Sequence, residues 1–214
     1  MKTTQTKTLQ TNFNAALISG DIKAFVDLIN DGSIDVNKAD AAGQLPLHIL
    51  AHFGHTKAAQ LLIHKSNIND IDANGRTALH YAVANNQENM VNFLINSGAD
   101  ITKPDIHQQT TLHFAIGRGN QNIVELLLRK SFYNNSKSHQ NYLNHKDFQN
   151  NTALDVALFS QKNNLAELLK SKGAPINKEV VEFLLHNKAE IVLPDIDGIS
   201  PLHKASAKGH TDIV

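Results

Sequence analysis

The chain has 214 residues, 41% of them hydrophobic, with 20 basic and 20 acidic side chains and a formal charge of +0 at pH 7. That balance lacks the electrostatic footprint of a nucleic-acid or anionic-membrane binder, so neither is a default partner. The absence of cysteine excludes disulfides, thiolate metal sites and cysteine nucleophiles together, and no apolar run approaches the ~18 residues that a membrane helix needs.

Residues 1–10 read as a flexible N-terminus. The stretch Met1 to Gly20 carries no apolar region of the roughly 7–15 residues that marks a secretory signal. A cytoplasmic or otherwise intracellular location is the expectation, and secretion into a host cell by another route is compatible with the same composition. Residues 11–39 hold Phe13, Ala16, Gly20, Phe25, Leu28, Ile29 and Gly32 at spacings that suit two short apolar-faced helices joined by a glycine turn. The same apolar and turn spacing recurs along the rest of the chain.

From residue 40 onward one phrase is repeated. Its copies are Leu45-Pro46-Leu47-His48, Thr77-Ala78-Leu79-His80, Thr110-Thr111-Leu112-His113, Thr152-Ala153-Leu154-Asp155 and Ser200-Pro201-Leu202-His203. An aspartate stands five residues before each copy: Asp40, Asp72, Asp105, Asp147 and Asp195. Leu50, Ala82, Ala115, Ala157 or Ala205 follows at a fixed offset, and Gly54, Asn86, Gly119, Gln161 or Gly209 marks the stop. In the Thr110 copy, Thr110 suits a helix cap and Leu112, Ala115 and Ile116 form one apolar face. Gly119 supplies a left-handed stop, and Ile123, Val124, Leu126, Leu127 and Leu128 form the buried face of a second, antiparallel helix. Asn86 tolerates the same stop geometry, whereas Gln161 predicts a less regular turn.

Thr77 and Thr110 lie 33 residues apart. That period, with the Thr-x-Leu-His phrase, resembles the ankyrin repeat. The resemblance implies an all-α, ankyrin-like helical-repeat solenoid with short β-hairpin or turn connections. Residues 11–39 then form an N-terminal capping repeat and residues 40–214 the repeat array. The array departs from the period where an insertion enters near 132–141, which reads as a disordered excursion or a specificity loop. A degenerate repeat near 176–193 keeps a second-helix pattern without its own phrase, and an incomplete last repeat spans 195–214. Because that last pattern stops midway through a second helix, the sequence is expected to be a fragment of a longer protein.

Enzymatic motifs are missing: no GxSxG elbow, phosphate-cradling glycine loop ending in Lys-Ser/Thr, or HExxH helix occurs. His48, His52 and His55 share a helical spacing that invites a metal reading, but a structural role for His48 within the phrase and a Gly-His turn at His55 outweigh it. The expectation is therefore no catalytic residue, no metal, no cofactor and no small-molecule substrate. What the resemblance implies is a noncatalytic protein–protein interaction module. Its partner, another protein, would contact the hairpin tips and the concave face of the first helices. On those positions stand Phe53, Arg76, Asn85, His107, Arg118, Phe148 and Phe159, the aromatic and arginine types that dominate interface hot spots prominent among them. The alternatives are a substrate-recruiting segment of a larger enzyme and a bacterial effector acting in a host cell.

Overall fold

The computed structural model describes residues 2–30, 34–134, 136–178 and 180–182. Among these residues every regular element is an α-helix: α1 (Lys2–Ser19), α2 (Ile22–Asn30), α3 (Pro46–Phe53), α4 (Thr56–Leu62), α5 (Ala78–Ala84), α6 (Glu88–Asn96), α7 (Thr111–Arg118), α8 (Gln121–Asn134), α9 (Ser136–Leu143), α10 (Ala153–Phe159) and α11 (Asn163–Ser171). The chain divides into two compact units, Met1–Lys130 and Ser131–Val214.

In the first unit, helices pair within each repeat, and the first helices α1, α3, α5 and α7 stand side by side in chain order. Helices α2, α4 and α6 are neighbours in the same order. No pair of short helices of this kind could bury its apolar stripe alone, so stacking supplies the core. That core is continuous from the stacked rings of Phe13 and Phe25, with centroids 5.4 Å apart, through Leu50, Leu62, Leu79, Met90 and Leu94 to Leu112, Ile116 and Ile123. Small Ala51, Ala82 and Ala115 are fully buried, which is what lets neighbouring first helices approach closely.

Helices α3, α5 and α7 are each fixed at the start by a histidine that reaches back to the residue before the helix. The backbone N–H of Leu45, Thr77 and Thr110 donates to Nδ1 of His48, His80 and His113 at 2.9, 3.1 and 3.2 Å. Because Nδ1 accepts, the ring proton resides on Nε2. From there His48 donates to the Asp70 carbonyl at 3.0 Å and His80 to the Gln109 carbonyl at 3.3 Å. The phrase histidine thus caps its own helix and fastens it to the next hairpin. Burial disfavours the charged ring, lowering the pKa of His48 and bringing that of His80 down to about 4.

Beside Gly20 after α1, with φ of 70°, four turns place a left-handed backbone after a first helix. Gly54 and Gly119 do so with φ of 74° and 78°, and Asn86 with 55°. Gln161 adopts the same geometry, φ 53°, and Lys162 N–H donates to the Ala157 carbonyl at 2.9 Å just as Gln87 N–H does to Ala82. The expected irregular turn is therefore regular; the bonds closing it hold a side-chain-bearing residue in a conformation that glycine adopts at lower cost.

The second unit packs α10 against α11. Leu154, Ala157, Ala166 and Leu169 are fully buried. Here Asp155 replaces the histidine: its Oδ2 accepts from the Thr152 N–H and hydroxyl, both at 2.8 Å, while Thr152 Oγ1 accepts from the Asp155 N–H at 3.3 Å. Asp155 Oδ1 is buried without a hydrogen-bond partner among the described residues. The segment 132–141, expected as a loop or disordered excursion, is helical instead: α8 continues to Asn134 and α9 begins at Ser136. The reason is anchoring from within. His139, Tyr142 and Leu143 are buried, and the His139 ring pairs with Ser131 Oγ at 2.7 Å through Nδ1 and with the Lys172 carbonyl at 3.2 Å through Nε2. Residues 2–10, expected as a flexible lead-in, form the first half of α1. They extend a helix already seated by Phe13, Ala16 and Leu17. The degenerate repeat beyond residue 182 and the incomplete repeat 195–214 lie outside the described residues.

Candidate interaction surface

In each of the four described copies the aspartate before the phrase builds the hairpin tip. In each case Oδ1 accepts two backbone N–H groups, those two and four residues ahead. Asp40 holds Ala42 and Gln44, Asp72 holds Asn74 and Arg76, Asp105 holds His107 and Gln109, and Asp147 holds Gln149 and Asn151, all at 2.8–2.9 Å. This is an Asx-turn, which lets the intervening side chains vary without loss of the turn. In the first unit consecutive tips are also tied together, Ala73 N–H to the Ala42 carbonyl at 3.2 Å and Ile106 N–H to the Asn74 carbonyl at 3.0 Å.

The sequence-predicted residues fall on two kinds of position. Phe53 and Arg118 are exposed at the ends of α3 and α7, and His107 is exposed on the third tip. Phe53 is 41% exposed, set edge-on to His52 with centroids 4.7 Å apart and stacked near His55. Arg76 is more engaged than a free anchor: its guanidinium lies 5.3 Å from the centre of the Phe114 ring, and Nε is 3.7 Å from Asp105 Oδ2, leaving the side chain 34% exposed. Asn85 is half-buried, its amide nitrogen donating to the Tyr81 carbonyl at 2.9 Å and to His52 Nδ1 at 3.2 Å. In the second unit, taken by itself, Phe148 is 70% exposed on the Asp147 tip and Phe159 is 41% exposed at the end of α10.

The histidines invoked for a metal are occupied otherwise. Both His48 ring nitrogens are engaged as described, and His55 Nε2 pairs with the Ile18 carbonyl at 3.0 Å. Among the described residues no group of three His, Cys, Asp or Glu side chains is placed to hold a metal ion.

Sequence reading missed a groove in the first unit. It has a volume of ≈ 680 Å³ and runs between α1 and α3, roofed by the first two hairpin tips. Ile49 and Tyr81 help to form it, and Gln10, Asn14 and Ile18 line it from α1. A signal for the floor was available: the residue immediately after the phrase is large in every described copy, Ile49, Tyr81, Phe114 and Val156. Tyr81 is locked there, its hydroxyl donating to Asp72 Oδ2 at 2.6 Å and accepting from Gln44 Nε2 at 2.7 Å. Burial and the Asp72 carboxylate push the Tyr81 pKa up to about 12. Burial works to raise the Asp72 pKa, but the hydrogen bonds from Tyr81, Arg76 and Asn74 outweigh it and the net direction is down.

A repeated Asx-turn, a reciprocally capped first helix and a packed second helix define a helical-repeat protein of the ankyrin class. The chain belongs to the ankyrin repeat family: the family model for ankyrin repeats (3 copies) matches residues 13–105 and 103–179. Ankyrin repeats are generally protein–protein interaction modules. An ankyrin repeat protein of variola virus is 34% identical over 76 residues, which is 35% of this chain and 13% of the viral protein. The B-cell lymphoma 3 protein homolog of Mus musculus is 34% identical over 84 residues, 37% of this chain and 18% of the mouse protein. The E3 ubiquitin-protein ligase hecd-1 of Caenorhabditis elegans is 33% identical over 92 residues, 42% of this chain and 3% of the ligase. The chain spans less than a fifth of the length of each of these relatives. Among the described residues no helix is long and apolar enough to cross a membrane.

Proposed function

We propose that this chain is a noncatalytic interaction module that binds a partner protein through its hairpin tips and the concave face of its first helices. The observation that carries the reading is a division of labour. Every phrase residue in the described copies is buried or half-buried and committed to caps and core, while Phe53, His107, Arg118, Phe148 and Phe159, at the variable positions between copies, are exposed. Aromatic and arginine side chains on a preorganised surface are suited to recognition, because little of the scaffold must be ordered on binding. Arg76 and Asn85 contribute differently, as groups already fixed in place that present their remaining surface.

Affinity capture with the full chain, compared with a Phe53→Ala, Arg118→Ala, Phe159→Ala triple variant of unchanged melting temperature, tests this. Loss of captured protein on triple substitution is the expected result. Retention of every captured protein would overturn the reading. A second reading, substrate recruitment for a larger enzyme, draws on the similarity to a segment that makes up 3% of a ubiquitin ligase. It predicts that the captured protein is modified by that larger enzyme and bound through the same face.

A further inference from the structure

Asn74 and Gly75 form the one Asn-Gly pair in the 214-residue sequence, and they stand at the second hairpin tip. Packing between tips requires the glycine. Its φ is +72°, and a Cβ there would lie 3.0 Å from the Ile106 nitrogen and 3.3 Å from Asp105 Cα, main-chain atoms that cannot yield without displacing the third tip. Gly43 stands in the same relation to Ala73 one repeat earlier, but the Ala42 before it carries no amide. Stacking of the tips therefore sets a backbone nitrogen unshielded by any side chain directly after an exposed asparagine.

Asparagine followed by such a nitrogen can close a ring. The Gly75 nitrogen bonds to Asn74 Cγ, the Cγ–Nδ2 bond breaks, and the Gly75 amide proton leaves with Nδ2 as ammonia. Water, the co-reactant, then opens the five-membered succinimide. Cleavage of the ring bond between Cγ and nitrogen leaves an aspartyl residue at position 74. Cleavage between the main-chain carbonyl carbon and nitrogen leaves an isoaspartyl residue, with the main chain rerouted through Cβ and Cγ.

The hydrogen bonds of the tip oppose that closure. Gly75 N–H donates to the Asp72 carbonyl at 3.0 Å, Asn74 N–H donates to Asp72 Oδ1 at 2.9 Å, and the Asn74 carbonyl accepts the Ile106 N–H at 3.0 Å. Asn74 is not among the residues of positive φ, so the turn is of type I and its ψ is about 0°. Ring closure instead needs the Gly75 nitrogen to eclipse Cβ, which means rotating about the Asn74 Cα–C bond. That rotation carries the carbonyl away from Ile106 and the Gly75 N–H away from Asp72. The carboxamide is held more loosely, its Nδ2 3.5 Å from Asp72 Oδ2. The reacting groups are all present, and the link to the third tip is their latch.

We infer that Asn74 is a covalent modification site of this chain, converted through a succinimide to aspartate and isoaspartate when the second and third tips part. The inference is independent of the interaction-module reading. An aspartyl product sets a second carboxylate where Asp72 Oδ2 had met a donor, and like charges then oppose the closed tip. An isoaspartyl product lengthens the main chain just where Gly75 lies against the Ile106 nitrogen, so the two tips no longer restack in register. Both products also alter the groove, which Asn74 lines.

The test incubates the full chain in mildly alkaline buffer made with oxygen-18 water and follows every asparagine by peptide mass spectrometry. Asn74 exchanges its amide for an acid carrying one heavy oxygen ahead of all other asparagines, with isoaspartate among the products. Unfolding in urea speeds the reaction at Asn74 about tenfold. Ile106→Pro removes the donor to the Asn74 carbonyl at a turn position that suits proline, and speeds the reaction in the folded chain about threefold. If Ile106→Pro fails to fold, the wild-type rate across sub-denaturing urea serves instead and rises in step with hydrogen exchange of the Ile106 amide. Asn74→Gln, which would need a larger ring, removes the acidic species from an ion-exchange profile. Earlier conversion of another asparagine, aspartate without isoaspartate, or an acidic species that survives Asn74→Gln would each overturn the proposal. So would equal rates at Asn74 in the folded and unfolded chain, or a folded rate indifferent to the Ile106 link.

Discussion

The caps of α5 and α10 solve one problem with two side chains. At α5, the His80 ring accepts the Thr77 N–H on one nitrogen and donates to the Gln109 carbonyl from the other. At α10, Asp155 accepts from Thr152 with Oδ2 at shorter distance, and its Oδ1 reaches nothing among the described residues. Both caps satisfy the start of a buried helix, but the histidine also fastens a neighbouring hairpin. An aspartate can replace the ring in local capping, because it accepts the same backbone N–H, but lacks the ring's second nitrogen, which the stacking role needs.

The largest expected effect tests whether each unit, taken by itself, depends equally on its buried leucine despite the different caps. Leu79→Ala and Leu154→Ala, both at fully buried positions, should each cost about 2–5 kcal/mol by urea denaturation followed by circular dichroism. A markedly milder loss at Leu154 would show that the second unit is packed on other terms. Next comes acid. His80 has a folded pKa of about 4, below its ordinary 6.5, so the unfolded chain binds the extra proton between those values. Its contribution is complete above about pH 6.5 and is lost as pH falls toward 4, up to about 3 kcal/mol in all. The depressed Asp72 carboxyl adds in the same direction, its stabilisation being lost below the ordinary carboxylate range. The urea midpoint of wild type should fall across this window, and His80→Asn should flatten that fall.

Direct truncation separates capping from stacking. His80→Ala should cost about 2–3 kcal/mol, because it leaves both the Thr77 N–H and the Gln109 carbonyl unanswered, whereas Asp155→Ala should cost about 1 kcal/mol. Equal losses would remove the distinction drawn between the two caps. The smallest effect has the opposite sign: Gln161→Gly relieves a left-handed residue at φ 53° and should stabilise the chain by about 1 kcal/mol in the same denaturation experiment.

The fold was legible because its signals are local and repeated. The phrase, the leading aspartate and the stop residue each report a hydrogen-bonded turn or cap that forms within a few residues, and repetition separates them from chance. Gln161 misled because propensity was weighed without the neighbouring bonds that enforce the turn. Segment 132–141 misled because its polar sequence conceals the anchors His139, Tyr142 and Leu143, whose partners lie outside any short window. The site was only half legible for a related reason. Register identifies positions that the scaffold leaves variable, and so located Phe53 and Phe148. It cannot show that Arg76 is drawn to Phe114 and Asp105, nor that α1 and α3 border a groove, because both depend on packing between repeats.

The central claim is that the tips and first helices recognise while the second helices support. Hydrogen–deuterium exchange of the full chain with and without its captured partner tests it most directly. The account predicts new protection at residues 40–44, 72–76 and 105–109 and in α3, α5 and α7 of the first unit, with α4 and α6 unchanged. Protection confined to α4 and α6, with the tips unaltered, would contradict it.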